Sequence, residues 1–392
     1  MSSQNPYYTS QTLVDAVRRR CSLPKADSMF SDQDILDFAN DELMESILPM
    51  IKSSHEEYFV WSENEALVES QAEYSIPERA IGNGLRDLSY LDLNGNEYEM
   101  SRISRDTRYD RFSVRVGDIP LIYYVENSHI TLVSGSNVRA NGYLKKTYLL
   151  RPNNLVLPTR VSKISASTEN SVLISTITNG VTTQFVTTSN HFLEDNEEIT
   201  IESVSGIDAS LVNDTFTVTV VDDTTFTIDV DTSAAGALTG GLVYNNTTKI
   251  TVDNISEEIT TNTTVDFLKS KSPHNTLAID ISPLEINYTS LYLVFKTTDL
   301  PSYATGDTIA LSYETDIPGI PTELHRLLIS KVCERVLESI GDQAGTALAA
   351  AKAQRSEIST GTLIENRVTS APLKVVNSHS LLRGKIRRSR GV

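Results

Sequence analysis

The sequence predicts an α+β protein: a helical bundle formed by N- and C-terminal helices, an antiparallel β domain between them, and a small all-β barrel inserted in that domain. Three observations predict it. Apolar residues recur at helical spacing near both ends, the middle alternates with period two between Asn, Gly and Asp turns, and residues 161–245 differ in composition from the strands around them.

Residues 1–56 supply the first bundle helices. Ser10 precedes QTLVDAVRRRC, in which Leu13, Val14, Val17 and Cys21 share one face, and Ser-Leu-Pro stops the helix. Ser31 with Asp34 makes a capping pattern before ILDFANDELMESIL, whose Ile35, Phe38, Ala39, Leu43 and Ile47 form an apolar stripe that Pro49 ends or kinks.

Residues 57–160 read as the first part of the β domain. LSYLDLNGNEYEM is a hairpin with Asn94-Gly95 in a tight primed turn. IPLIYYVENSHITLVSG is another, with Ile122 and Tyr124 on one face and Ile130 and Leu132 returning. Residues 161–245 are rich in Thr, Ser, Val and Asp and read as the inserted barrel. There TFTVTVVDDTTFTIDV sets Phe216, Val218 and Val220 against Phe226, Ile228 and Val230 across an Asp-Asp-Thr turn. Residues 246–317 resume the β domain with TLAIDISP, SLYLVFKTT and DTIALSYE.

Residues 318–366 return to helix. Pro321 suits a first helical turn, Leu324, Leu328, Val332, Val336 and Ile340 repeat at helical spacing, and Gly341 is a ready C-cap. A second stretch has Ala344, Leu348 and Ala351 on one side. Short amphipathic helices must bury their stripes elsewhere. The economical solution packs the first two helices on the last two, with a core of Leu13, Val17, Ile35, Phe38, Leu43, Leu324, Leu328, Val332 and Val336.

Catalytic patterns are missing from the sequence. It holds no P-loop, paired-histidine zinc motif, serine elbow or Cys-x-x-Cys. The six histidines are scattered and read as surface or capping residues, and Cys21 and Cys333, far apart in the chain, read as small buried apolar residues. Asp222, Asp223, Asp229 and Asp231 are the best calcium candidates, yet they lack the EF-hand spacing and read as a solvated turn. Glu194, Asp195, Glu197 and Glu198 beside His191 read as a charged loop, not an acid–base pair. The expectation is a non-enzymatic protein with no cofactor and no metal. No apolar run approaches the ~20 residues that span a bilayer, and the N-terminus lacks a signal pattern, so cytosolic synthesis is expected.

The remaining oddity is residues 367–392. Net charge is −17, a poor balance for general nucleic-acid binding, yet residues 371–392 carry Lys374, Arg383, Lys385, Arg387, Arg388 and Arg390 and no acid. Leu373, Val375, Val376, Leu381 and Leu382 interrupt those charges. The segment reads either as a docking tail or as a solvated end that touches DNA without specificity.

IPLIYYVENSHITLVSG resembles a hairpin of tailed-bacteriophage neck and tail-completion proteins. IALSYETDIPGIPTELHRLLISKVCERVLESIGD, with Ile320-Pro321 and Leu324-His325, resembles their passage into a C-terminal helix. With the N-terminal helices and the tail, the chain resembles the head-to-tail adaptor (connector) family. NHFLEDNEEITIESVSGIDASLVNDTFTVTVVDDTTFTIDV is similar to a small barrel of many phage virion proteins, related in fold to a catalytic-cysteine half-domain of ubiquitin-activating enzymes. It has no cysteine to carry that chemistry. The resemblance implies a homo-oligomeric ring of about twelve copies in the virion neck, assembled in the host cytoplasm, with bundles side by side around a channel through which genomic DNA passes without sequence-specific binding.

The implied partners are the portal protein and downstream neck or tail proteins, with no membrane. Lys374, Leu381, Leu382, Arg383, Lys385, Arg387, Arg388 and Arg390 would dock on the portal, charge aiding capture and the leucines burial. Small adaptors are often mainly helical and far shorter, so a lower neck or tail ring protein stays open. From another class, so does a receptor- or glycan-binding virion protein.

Overall fold

A computed structural model describes residues 8–23, 30–54, 57–107, 115–116, 119–133, 142–271 and 275–364. The chain is mixed α+β and mostly β, and it divides into two compact units: residues 1–44 with 151–353, and residues 45–150 with 354–392.

Helix α1 (Ser10–Arg20) is capped by Thr9, not Ser10: the Thr9 hydroxyl accepts from Thr12 N at 3.3 Å, and Ser10 is buried inside the first turn. Helix α2 (Asp32–Glu42) starts on the expected capping box, with Asp34 N donating to Ser31 Oγ at 3.1 Å and Ser31 N donating to Asp34 Oδ2 at 2.7 Å. The Ser31 hydroxyl foremost, donating to Asp34 Oδ2 at 2.7 Å, and then the Ser31 N–H hold the Asp34 carboxyl below its usual range. Pro49 does not stop the helix. Leu43–Ile47 widens into a π-turn and α3 (Leu48–Ser54) follows, which fits a residue that cannot donate to the carbonyl four positions back.

The unit containing residues 45–150 holds two four-stranded sheets. Its strands are β1 (Val60–Ala66), β2 (Glu73–Ser75), β3 (Ala80–Leu91), β4 (Glu97–Glu99), β5 (Ser101–Arg102), β6 (Arg115–Val116), β7 (Ile119–Pro120), β8 (Ile122–Glu126), β9 (His129–Leu132) and β10 (Tyr143–Leu150). One sheet has the order β1-β10-β3-β4 and the other β2-β9-β8-β5, while β6 pairs with β7.

Two hairpin details differ from expectation. Between β3 and β4 only Gly95 has positive φ, +83°. Asp92 accepts from Asn94 N and Asn96 N, closing a five-residue loop in place of a two-residue primed turn. In the second hairpin Asn127 and Ser128 both take positive φ, and the register sets Tyr123 opposite Leu132 and Val125 opposite Ile130. Directly paired residues share a face, so Tyr123 and Val125, not Ile122 and Tyr124, join Ile130 and Leu132.

The other unit continues with β11 (Asn154–Leu155), β12 (Ser162–Thr178), β13 (Thr183–Thr187), β14 (Glu198–Glu202), β15 (Thr215–Asp222), β16 (Thr225–Ile228), β17 (Leu242–Val252), β18 (Val265–Leu268), β19 (Thr276–Ile281), β20 (Glu285–Asn287), β21 (Tyr292–Lys296), β22 (Thr308–Leu311) and β23 (Glu314–Thr315). Strands β12-β13-β16-β15-β14-β17 run in that order, and β12 also pairs with β17, closing a six-stranded barrel. Its core includes Phe185 stacked on Phe226 at 5.2 Å, with Ile199, Ile201, Val218, Ile228 and Val243 around them.

The 17-residue β12 and the 11-residue β17 extend beyond the barrel into a second core of Ile164, Ile250, Val265, Phe267, Leu293, Phe295 and Ile309. The boundary expected at 245/246 thus falls inside β17. Strands β1–β10 pair among themselves, whereas those of 246–317 pair with barrel strands, with each other or, for β23, with β11. Most of the expected first part of the β domain, residues 57–150, therefore lies in a different unit from the second part, and only residues 151–160 join it.

The chain then enters α4 (His325–Ile340) through a 3-10 turn, Thr322–Leu324, with Pro321 just before it. Gly341 caps α4 in the left-handed conformation at φ +82°. Helix α5 (Gln343–Ile364) follows.

Candidate functional site

Helices α1, α2 and α4 pack on one another. Leu13, Val17, Ile35, Leu43, Leu324, Leu328, Val332 and Val336 are buried, and so are Leu36, Leu327 and Ile329. Phe38 is half-buried, its ring 6.0 Å from that of Phe30, and Ile340 is exposed. Helix α5 differs from expectation: Ala344, Leu348 and Ala351 are exposed, and its buried positions include Ala353 and Thr360.

Polar clasps tie the helices. Arg18, almost fully buried, donates to Asp32 Oδ1 at 2.9 Å and to the Phe30 carbonyl at 2.8 Å, linking α1 to the start of α2. Arg335 on α4 donates to Glu42 Oε1 on α2 at 2.8 Å. Arg20 reaches Ser330 Oγ on α4 at 3.0 Å. The approach to α1 is held as well, since Tyr8 N donates to His325 Nδ1 at 3.1 Å and Ser10 N donates to the Asp316 carbonyl at 2.6 Å. His325 is therefore a buried residue that anchors the segment before α1, not a surface or capping one. Sequence reasoning missed these clasps because a charged residue flanking an apolar stripe looks the same whether it faces water or a partner helix.

Beside α2 a cleft of about 390 Å³ is lined by Gln33, Asp37, Asn40, Arg160, Tyr313 and Glu314, among others. Asn40 fixes α2 to β11, accepting from Leu155 N at 2.6 Å and donating to its carbonyl at 3.1 Å. Arg160 binds Glu314 and Glu258 together, and both carboxylates, Glu314 foremost, keep its guanidinium more basic than usual. The cleft's cation is thus committed to its own wall.

Several of the other sequence candidates are occupied locally. Asp222 accepts from Thr224 N and Oγ1, and Asp231 from Ser233 N and Oγ; these bonds lower both carboxyls. Asp195 accepts from Val220 N, Glu197 accepts from Glu194 N, and Glu194 pairs with Lys296. His191 is buried against Phe226, with Nδ1 accepting from Leu193 N, so it faces inward, away from those carboxylates. Among the described residues no group of three or more His, Cys, Asp or Glu could hold a metal ion, and no helix is long and apolar enough to cross a membrane. Lys374, Leu381, Leu382, Arg383, Lys385, Arg387, Arg388 and Arg390 lie outside the described residues. No protein-family model matches the chain, and no curated protein matches it.

Proposed function

We propose that this chain is a structural subunit of a tailed-phage virion, a head-to-tail adaptor that repeats around an axis as a ring between portal and tail. On this reading α1, α2 and α4 form the bundle that makes each subunit a wedge. Genomic DNA passes through the ring, and the basic segment 371–392 grips the portal. The observation that carries the reading is the clasping of helices from residues 10–42 with a helix from residues 325–340 by the Arg335–Glu42 ion pair and a shared apolar core. The resemblance of the segments around Ile122–Leu132 and Ile320–His325 to connector proteins supports it, as does the acidic balance of −17, since like charge keeps passing DNA from adhering.

The test is deletion of residues 371–392. The truncated chain is expected to keep its circular dichroism spectrum and melting temperature while losing capture by immobilised portal protein. Undiminished capture contradicts the portal-docking role. Capture of DNA by the full chain, falling with salt and lost on deletion, assigns the segment to phosphate contact instead.

A further inference from the structure

The chain has two cysteines, 312 positions apart, and the fold brings them together. Cys21 ends α1, while Cys333 sits in α4 one turn beyond Ser330, the residue that receives Arg20. Cys21 Sγ lies 3.8 Å from the Cys333 carbonyl oxygen, and the two thiols also meet. The contact with the Cys333 side chain foremost, and then the Arg20 charge, hold the Cys21 thiol below its usual range against the effect of burial. The same contact, with burial, pushes the Cys333 thiol up. Cys21 is partly buried and Cys333 is buried. A reachable, acidified thiol beside a buried second thiol is the arrangement of an attacking and a resolving cysteine.

We propose that Cys21 and Cys333 are a reversible oxidation site that closes to an intramolecular disulfide, with a peroxide as oxidant. The Cys21 thiolate attacks one peroxide oxygen, the O–O bond breaks, and hydroxide leaves, giving a sulfenic acid at Cys21. The Cys333 sulfur then attacks the Cys21 sulfur. The S–S bond forms, the S–O bond breaks, and water leaves with the Cys333 proton. The two electrons lost by the thiols reduce the peroxide. The closed bond joins the end of α1 to the middle of α4, a link that the Arg20–Ser330 bond already aligns. The inference stands on this geometry and does not depend on ring assembly.

The test treats the full chain with hydrogen peroxide, then alkylates it under denaturing conditions for intact mass and peptide mapping. The expected result is a monomeric chain lighter by the mass of two hydrogens, with one linked peptide pair containing Cys21 and Cys333, reversed by dithiothreitol. The oxidised chain is expected to melt roughly 5 °C higher than the reduced one. Cys333→Ser is expected to stop at a Cys21 sulfenic acid that dimedone traps, whereas Cys21→Ser gives no adduct and no link. Full alkylation of both thiols after peroxide overturns the proposal. So does a Cys21 sulfinic acid in the native chain without a linked pair, or a link found only between two copies.

Discussion

Asp266 and Asp316 are carboxylates set in opposite surroundings. Asp266, fully buried in β18, accepts from Asn153 Nδ2 at 2.7 Å, Asp280 N at 3.1 Å and Tyr313 N at 3.2 Å. Removing it strands several donors at once, each costing about 1–3 kcal/mol. Asp266→Ala is therefore expected to destabilise the protein by roughly 3 kcal/mol or more, read as a fall in the urea midpoint. Asp316 has an oxygen with no hydrogen-bond partner, and burial raises its carboxyl above the usual value. A carboxyl raised in the folded state favours folding while protonated, and that contribution is lost as pH rises through the folded value. Asp316→Asn is thus expected to stabilise the protein at pH 7, with the gain shrinking as pH falls through the raised value and vanishing below the ordinary aspartate range. Thermal melts of both proteins across that interval check the sign; a gain that grows on acidification contradicts it.

At the scale of elements, the barrel depends on its stacked aromatic pair. Phe226 is fully buried on β16 against Phe185 on β13, and Phe226→Ala is expected to cost about 3–5 kcal/mol through lost transfer energy and the cavity left behind. Denaturant unfolding followed by tryptophan-independent circular dichroism measures it. Phe226, Ile228 and Val218 were legible as inward residues because alternation with Thr and Asp exposes a half-buried strand directly. The Ser31–Asp34 box and the Gly341 cap were legible for a similar reason, being determined by neighbours within a few residues. What stayed hidden depends on partners distant in sequence. The β12–β17 pairing that closes the barrel, the register that turns Tyr123 inward, and the meeting of Cys21 with Cys333 have no local signature. Pro49 left two outcomes open, an end or an interruption, and the structure has the second: the π-turn Leu43–Ile47 takes up its missing donor and the helix goes on. The exposure of α5 was hidden because alanine favours helix formation whether buried or not.

For the whole molecule, the reading turns on what α1, α2 and α4 do in company. Their shared core makes residues 10–42 and 325–340 one body, as a repeating wedge requires, and on this account identical copies close around an axis with heterologous contacts. Negative-stain electron microscopy of the purified full chain, alone and mixed with its portal protein, tests this most directly. The account predicts annular particles of about twelve copies, free or seated on the portal. Monomers or fibres in both samples would contradict it.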